Sequence, residues 1–184
     1  MPEKYDVVEL LEQQHVRIRG LFEEVAETKG DERTRHFRKL THLLAVHETA
    51  EEEVVHPFAS KHIEGGERVV KDRIEEEKGI KRTLGRLEDL DPDSPEFLSL
   101  FAALRQDVRA HIEAEERYEF AHLRSVADRS GLERLAAAVK AAEALAPTRP
   151  HPGMDTALRN LIAGPVAGVV DRTRDVVRKA MGNP

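Results

Sequence analysis

Residues 37–58 read FRKLTHLLAVHETAEEEVVHPF. Phe37, Leu40 and Leu44, then Val54 and Phe58, recur at the three- and four-residue spacing of one face of an amphipathic helix. Between them, where that face should go on being apolar, stand His47 and Glu51. Residues four apart sit one above the other on a helix, so an imidazole nitrogen and a carboxylate are offered to the same point. Burying such groups without partners costs roughly 2–7 kcal/mol per polar group, and more for a charge. A metal ion is the simplest thing that would satisfy them together.

The device is repeated at residues 111–115, HIEAE, within the stripe Phe97, Phe101, Leu104, Val108, His111, Glu115, Tyr118, His122. A first helix is expected from about Asp6 to Thr28, with His15 in its apolar face between Leu11 and Ile18. A third is expected over about Glu67 to Leu90, with Glu77 between Ile74 and Ile80. Ser94 is placed to cap the fourth helix ahead of Pro95, and Pro57 should kink or end the second near its last turn. Four long amphipathic helices joined by short loops predict an all-α, antiparallel up-down bundle. A short fifth helix should run from Leu132 to about Leu145. Two regions follow: residues 1–146 as the bundle with its short helix, and residues 147–184 as a Pro-rich linker and an amphipathic tail helix.

A His-x-x-x-Glu match alone is weak; the registration is the sharper fact. His15, His47, Glu51, Glu77, His111 and Glu115 each replace an apolar residue in the inward face of their own helix, near its middle. Six nitrogen and oxygen groups exceed what one tetrahedral zinc needs and suit iron or manganese. Glu51 and Glu115 are the natural bridges between two ions about 3.5–4 Å apart. The chain contains no cysteine, which removes thiolate zinc sites, iron–sulfur clusters and thiol nucleophiles. Its net charge of −6, with no basic stripe, argues against a nucleic-acid partner. No stretch reaches the ~20 apolar residues of a membrane span, and the start MPEKYDVVELLEQQH lacks a signal-peptide core, so a cytoplasmic location is expected.

Four segments together, LLEQQHVRIRGLF (10–22), HETAEEEVVHPF (47–58), RIEEEKGIKRTL (73–84) and HIEAEERYEFAHL (111–123), resemble the hemerythrin-like (HHE cation-binding) family over about residues 5–145. The resemblance implies a four-helix bundle around two non-haem iron ions, oxo- and carboxylate-bridged, that meet a small diatomic or peroxide ligand. Carried over by position, His15, His47, Glu51, His111 and Glu115 look like the family's metal ligands. The departure is on the third helix, where the family supplies one or two histidines and this chain has Glu77. More anionic oxygen ligands stabilise Fe(III), so turnover of peroxide or nitric oxide, catalase-like or nitric-oxide-processing, fits better than reversible oxygen carriage.

Three further residues are candidates to ligate or to hydrogen-bond a ligand: His56, Glu48 and Tyr118. On an ideal helix at about 100° per residue, His56 lies about 180° from His47 and misses the site unless Pro57 distorts the turn. Glu48 and Glu52 flank the ligands, with Glu48 the better placed, while Tyr118 and His122 continue the fourth-helix stripe. A second functional reading is an iron- or oxygen-responsive sensory module whose tail helix contacts a partner or makes a homodimer.

Overall fold

The computed structural model describes residues 5–145. The linker and tail helix expected over residues 147–184 lie outside the described residues. Within them the protein is all helical, with no strand.

The first helix, Val7–Glu27, opens on a capping box: Asp6 accepts the Glu9 N–H at 2.9 Å, and the Glu9 carboxylate accepts the Asp6 N–H at 2.9 Å. The second runs through three continuous segments, α-helical over Gly30–Ala50, π-helical over Glu51–Val55 and α-helical again over His56–His62. The third spans Gly66–Glu88. The fourth is built like the second, from Pro95–Glu115, a π turn at Glu116–Phe120, and Ala121–Val126. Ser94 caps it by accepting the Phe97 N–H at 3.1 Å, with Pro95 in the first turn, as the sequence predicts. A fifth helix, Arg129–Leu145, packs across the first and second.

The antiparallel arrangement shows in the order in which each helix visits two apolar clusters. The first helix passes from the cluster of Val7, Val8 and Leu11 to that of Ile18, Phe22 and Val25. The second runs the other way, from Phe37, Leu40 and Leu44 to Val54, Val55 and Ala59. The third begins at Val70 and ends at Ile80, Leu84 and Leu87; the fourth begins at Phe97, Phe101 and Leu104 and ends at Phe120 and Leu123. Between the two clusters each of these helices contributes buried histidine or glutamate: His15, then His47 and Glu51, then Glu77, then His111 and Glu115. The bundle is two apolar halves separated by one polar layer, and the fifth helix completes the half nearer the chain's start.

Pro57 neither ends nor breaks the second helix. A proline lacks the N–H for the α-helical bond and its ring clashes with the carbonyl four residues back. The chain takes up both demands in the π turn just before it, where the His56 N–H reaches the Glu51 carbonyl, five residues back. At the following connection Gly65 has φ +70°, and a Cβ on Gly66 would lie 2.2 Å from the Ala59 carbonyl oxygen. Gly66→Ala is therefore expected to destabilise the fold by about 1–3 kcal/mol through forced backbone movement. Urea unfolding should show a lower midpoint at unchanged slope; an unshifted midpoint would mean that the close approach is not needed.

Candidate metal centre

The three predicted ligand histidines share one arrangement. Each is at most 1% exposed, and each has its Nδ1 atom held from behind. His15 Nδ1 donates to Glu116 Oε1 at 3.0 Å, His47 Nδ1 to Gln14 Oε1 at 2.7 Å, and His111 Nδ1 to Glu76 Oε2 at 2.9 Å. The acceptors are fixed in turn: Gln14 Nε2 donates to Glu143 of the fifth helix, Arg19 pairs with Glu116 and Arg73 with Glu76. A ring that donates from Nδ1 and is neutral presents a lone pair at Nε2, the form in which a metal takes it.

The Nε2 atoms converge on the polar layer. His15 Nε2 and His47 Nε2 lie 3.2 Å apart. His47 Nε2 is 3.3 Å from Glu51 Oε2, His15 Nε2 is 3.3 Å from Glu115 Oε2, and His111 Nε2 is 3.0 Å from Glu115 Oε1. Glu115 thus turns one oxygen to each of two groups. In one, His15, His47, Glu51 and Glu115 bring ligand atoms within 4.8 Å of one another; in the other, Glu48, Glu77 and His111 do the same, and His56, Glu115 and Glu119 make a third such group beside them.

The donor set fits a cation better than it fits a hydrogen-bonded core. Both oxygens of Glu51 and one each of Glu48 and Glu77 are buried without a hydrogen-bond partner, a state that costs about 1–3 kcal/mol per group or more when charged. Burial, with Glu115 and Glu48 nearby, holds the Glu51 carboxyl well above the usual range. Burial likewise pushes Glu77 up to about 8, although its hydrogen bond from His56 works the other way. His47 is pushed down to about 4 by burial and by the neighbouring His15 ring. Burial opposes charge on His111 too, but the Glu115 and Glu48 carboxylates outweigh it and raise its pKa. The converse holds at Glu115, where His111 and His15 overcome burial and keep the carboxyl well below its usual value.

All six predicted ligands are brought to this layer. Glu48, placed on the flank by the sequence pattern, is 2% exposed and belongs to the second group, while Glu52 stays outside and pairs with Lys81. His56 reaches the layer after all: it is 2% exposed, with Nε2 2.7 Å from Glu77 Oε1 and Nδ1 3.0 Å from Glu119 Oε1. A π turn adds in effect one residue, or about 100° of rotation, to a helix, which swings His56 from the far side toward the interior.

Tyr118 is a correction. It is 49% exposed and lines nothing at the site, and His122 is exposed as well. The π turn at Glu116–Phe120 moves the inward face on by one residue, so Glu119 and Leu123 take the positions expected for Tyr118 and His122. Glu119, fully buried, is the residue the sequence reading missed. A signal was present, since Phe120 and Leu123 continue an apolar face that Tyr118 and His122 do not.

The Hemerythrin HHE cation binding domain matches residues 6–123, and the chain belongs to that family. Among solved structures, a hemerythrin HHE cation-binding domain-containing protein from Mycobacterium kansasii is similar, with a TM-score of 0.74 over 85% of this chain and 99% of that one. At 21% identity that likeness establishes the fold. No curated protein matches the chain significantly. No helix among the described residues is long and apolar enough to cross a membrane.

Proposed function

We propose that the polar layer holds two iron ions and that the protein reacts with a small oxidant, peroxide or nitric oxide, rather than carrying oxygen reversibly. The observation that supports this most is the convergence of three tied imidazoles and four acidic side chains on one buried layer, several of their oxygens unbonded. His15, His47, Glu51 and Glu115 would hold one ion; Glu48, Glu77 and His111, with the other oxygen of Glu115, would hold the second. When bound, such a pair supplies one-electron redox steps and Lewis acidity toward an O–O or N–O bond.

The chain's own contribution is to bind, orient and exclude. Gln14, Glu76 and Glu116 fix the ring planes and tautomers, so that little reorganisation accompanies loading. The apolar clusters on either side of the layer keep bulk water from it. Four anionic oxygen donors against three imidazoles favour the oxidised metal, which supports turnover over reversible carriage.

Metal content and the visible spectrum of protein purified without added metal test the reading. About two irons per chain are expected, with a spectrum that changes on adding peroxide or nitric oxide and with peroxide consumed. Iron-loaded protein that leaves peroxide untouched and is blind to nitric oxide would remove the oxidant reading and keep only a cation site.

A further inference from the structure

The layer contains a fourth buried histidine that is not arranged like the other three. His15, His47 and His111 each give Nδ1 to a group behind the ring and turn Nε2 to the interior. His56 has neither nitrogen to spare: Nε2 faces Glu77 Oε1 at 2.7 Å and Nδ1 faces Glu119 Oε1 at 3.0 Å. It lies between two glutamates that are both fully buried.

Glu77 is the one residue of the third helix in the layer, and its flexible side chain could turn either oxygen, or both, toward a cation. The hydrogen bond from His56 takes up Oε1. Oε2 is buried without a hydrogen bond, and the nearest ammonium, Lys81 Nζ, is 3.8 Å away. Glu119 fixes the far side of the imidazole, so the ring cannot turn to release Oε1. Both members of the pair owe their place to a π turn: His56 follows the one at Glu51–Val55, and Glu119 lies in the one at Glu116–Phe120.

We infer that His56 and Glu119 form a positioning pair that fixes Glu77 so that it presents a single oxygen to the position made with Glu48 and His111. The inference rests on the reading of those three residues as one metal position. His56 is a positioning residue, not a ligand.

The test is a Co(II) titration of the metal-free full chain, followed by visible absorption, for the unaltered protein, His56→Phe, Glu119→Gln and Glu77→Gln. The unaltered chain should take up two equivalents. His56→Phe should weaken one step by about 10–100-fold, the range for lost support behind a metal ligand, and leave the other unchanged. Glu77→Gln should weaken that same step, and Glu119→Gln should weaken it by less. A purely structural role for His56 would lower thermal stability without separating the two steps. Should His56→Phe fail to fold, the isosteric Glu119→Gln carries the same comparison. Unchanged affinities, equal loss at both steps, or a third equivalent that Glu119→Gln removes would overturn the inference. An unaltered chain that binds no Co(II) overturns the metal reading itself, and is told apart because no variant is needed to see it.

Discussion

Glu115→Ala is expected to abolish binding at both of the proposed metal positions, whereas His15→Ala or His111→Ala abolishes it at one. The difference follows from position. Glu115 lies 3.3 Å from His15 Nε2 through Oε2 and 3.0 Å from His111 Nε2 through Oε1, so it faces both groups, while each imidazole faces one. Loss of a shared carboxylate removes a donor from both positions and also the negative charge that lets two cations sit close together. The metal-free fold should suffer too. Removing one member of a buried charged pair costs about 3–5 kcal/mol when the other is left uncompensated. His111 keeps Glu76 at 2.9 Å and Glu48 at 3.6 Å, so a value at or below the low end is expected. Metal content by mass spectrometry and urea unfolding with a chelator separate the two effects. Two metals retained in Glu115→Ala would rule out a bridging role and leave two independent sites.

That asymmetry is visible in the sequence only in part. The apolar faces of all four long helices, and the polar residues that interrupt them, are set by three- and four-residue spacing, and spacing survives folding wherever the helix stays α-helical. His47, Glu51, His111 and Glu115 lie before or at the edge of a π turn, His15 and Glu77 lie on helices without one, and all six face inward as the periodicity requires. Beyond each π turn the ideal rotation of about 100° per residue no longer holds. Tyr118 is turned out, Glu119 is turned in, and His56 is swung through to Glu77. Glu48 is expected on the flank rather than in the inward stripe for another reason. It is about 100° around the second helix from His47, at the edge of the buried arc. A helix that lines two groups of potential ligands needs a wider polar arc than a single stripe provides. The Pro57 ring supplies the local cause of the first π turn; the second has no such marker, and only the apolar Phe120 and Leu123 betray the shift.

The larger effect of pH should appear as a stability gap between metal-loaded and metal-free protein that widens from pH 6 to pH 8. In the metal-free chain Glu51 stands well above its usual range and Glu77 at about 8, both first through burial. A carboxyl whose pKa is raised in the fold holds its proton more tightly folded than unfolded. Stability then falls as pH rises from about 4.5 through the folded value. His111 is raised, and His56 is raised to about 10, because hydrogen bonds and neighbouring carboxylates outweigh burial. Their contribution is complete below about 6.5 and is lost as pH climbs toward the folded value. All four groups run in the same direction. His47, down at about 4, and Glu115, well below its usual value, act on the acid side: the one removes stability as pH falls below about 6.5, the other below about 4.5. The metal-free fold should therefore weaken steadily above neutrality.

Loading acts in the opposite sense. A metal takes carboxylates and imidazoles in their deprotonated forms, so the protons on Glu51, Glu77 and His111 must leave, and affinity rises with pH across the same interval. Each tenfold gain in affinity adds about 1.4 kcal/mol to the loaded state when metal is in excess. Thermal scans of paired samples, one with chelator and one with saturating Co(II), at pH 6, 7 and 8 would read the gap directly. Proton release on Co(II) binding, followed by calorimetry in buffers of different ionisation enthalpy, should be positive and decline toward pH 8. A gap that narrows over this range, or binding that releases no protons, would place the buried protons outside the layer and break the link between the raised carboxyls and the metal.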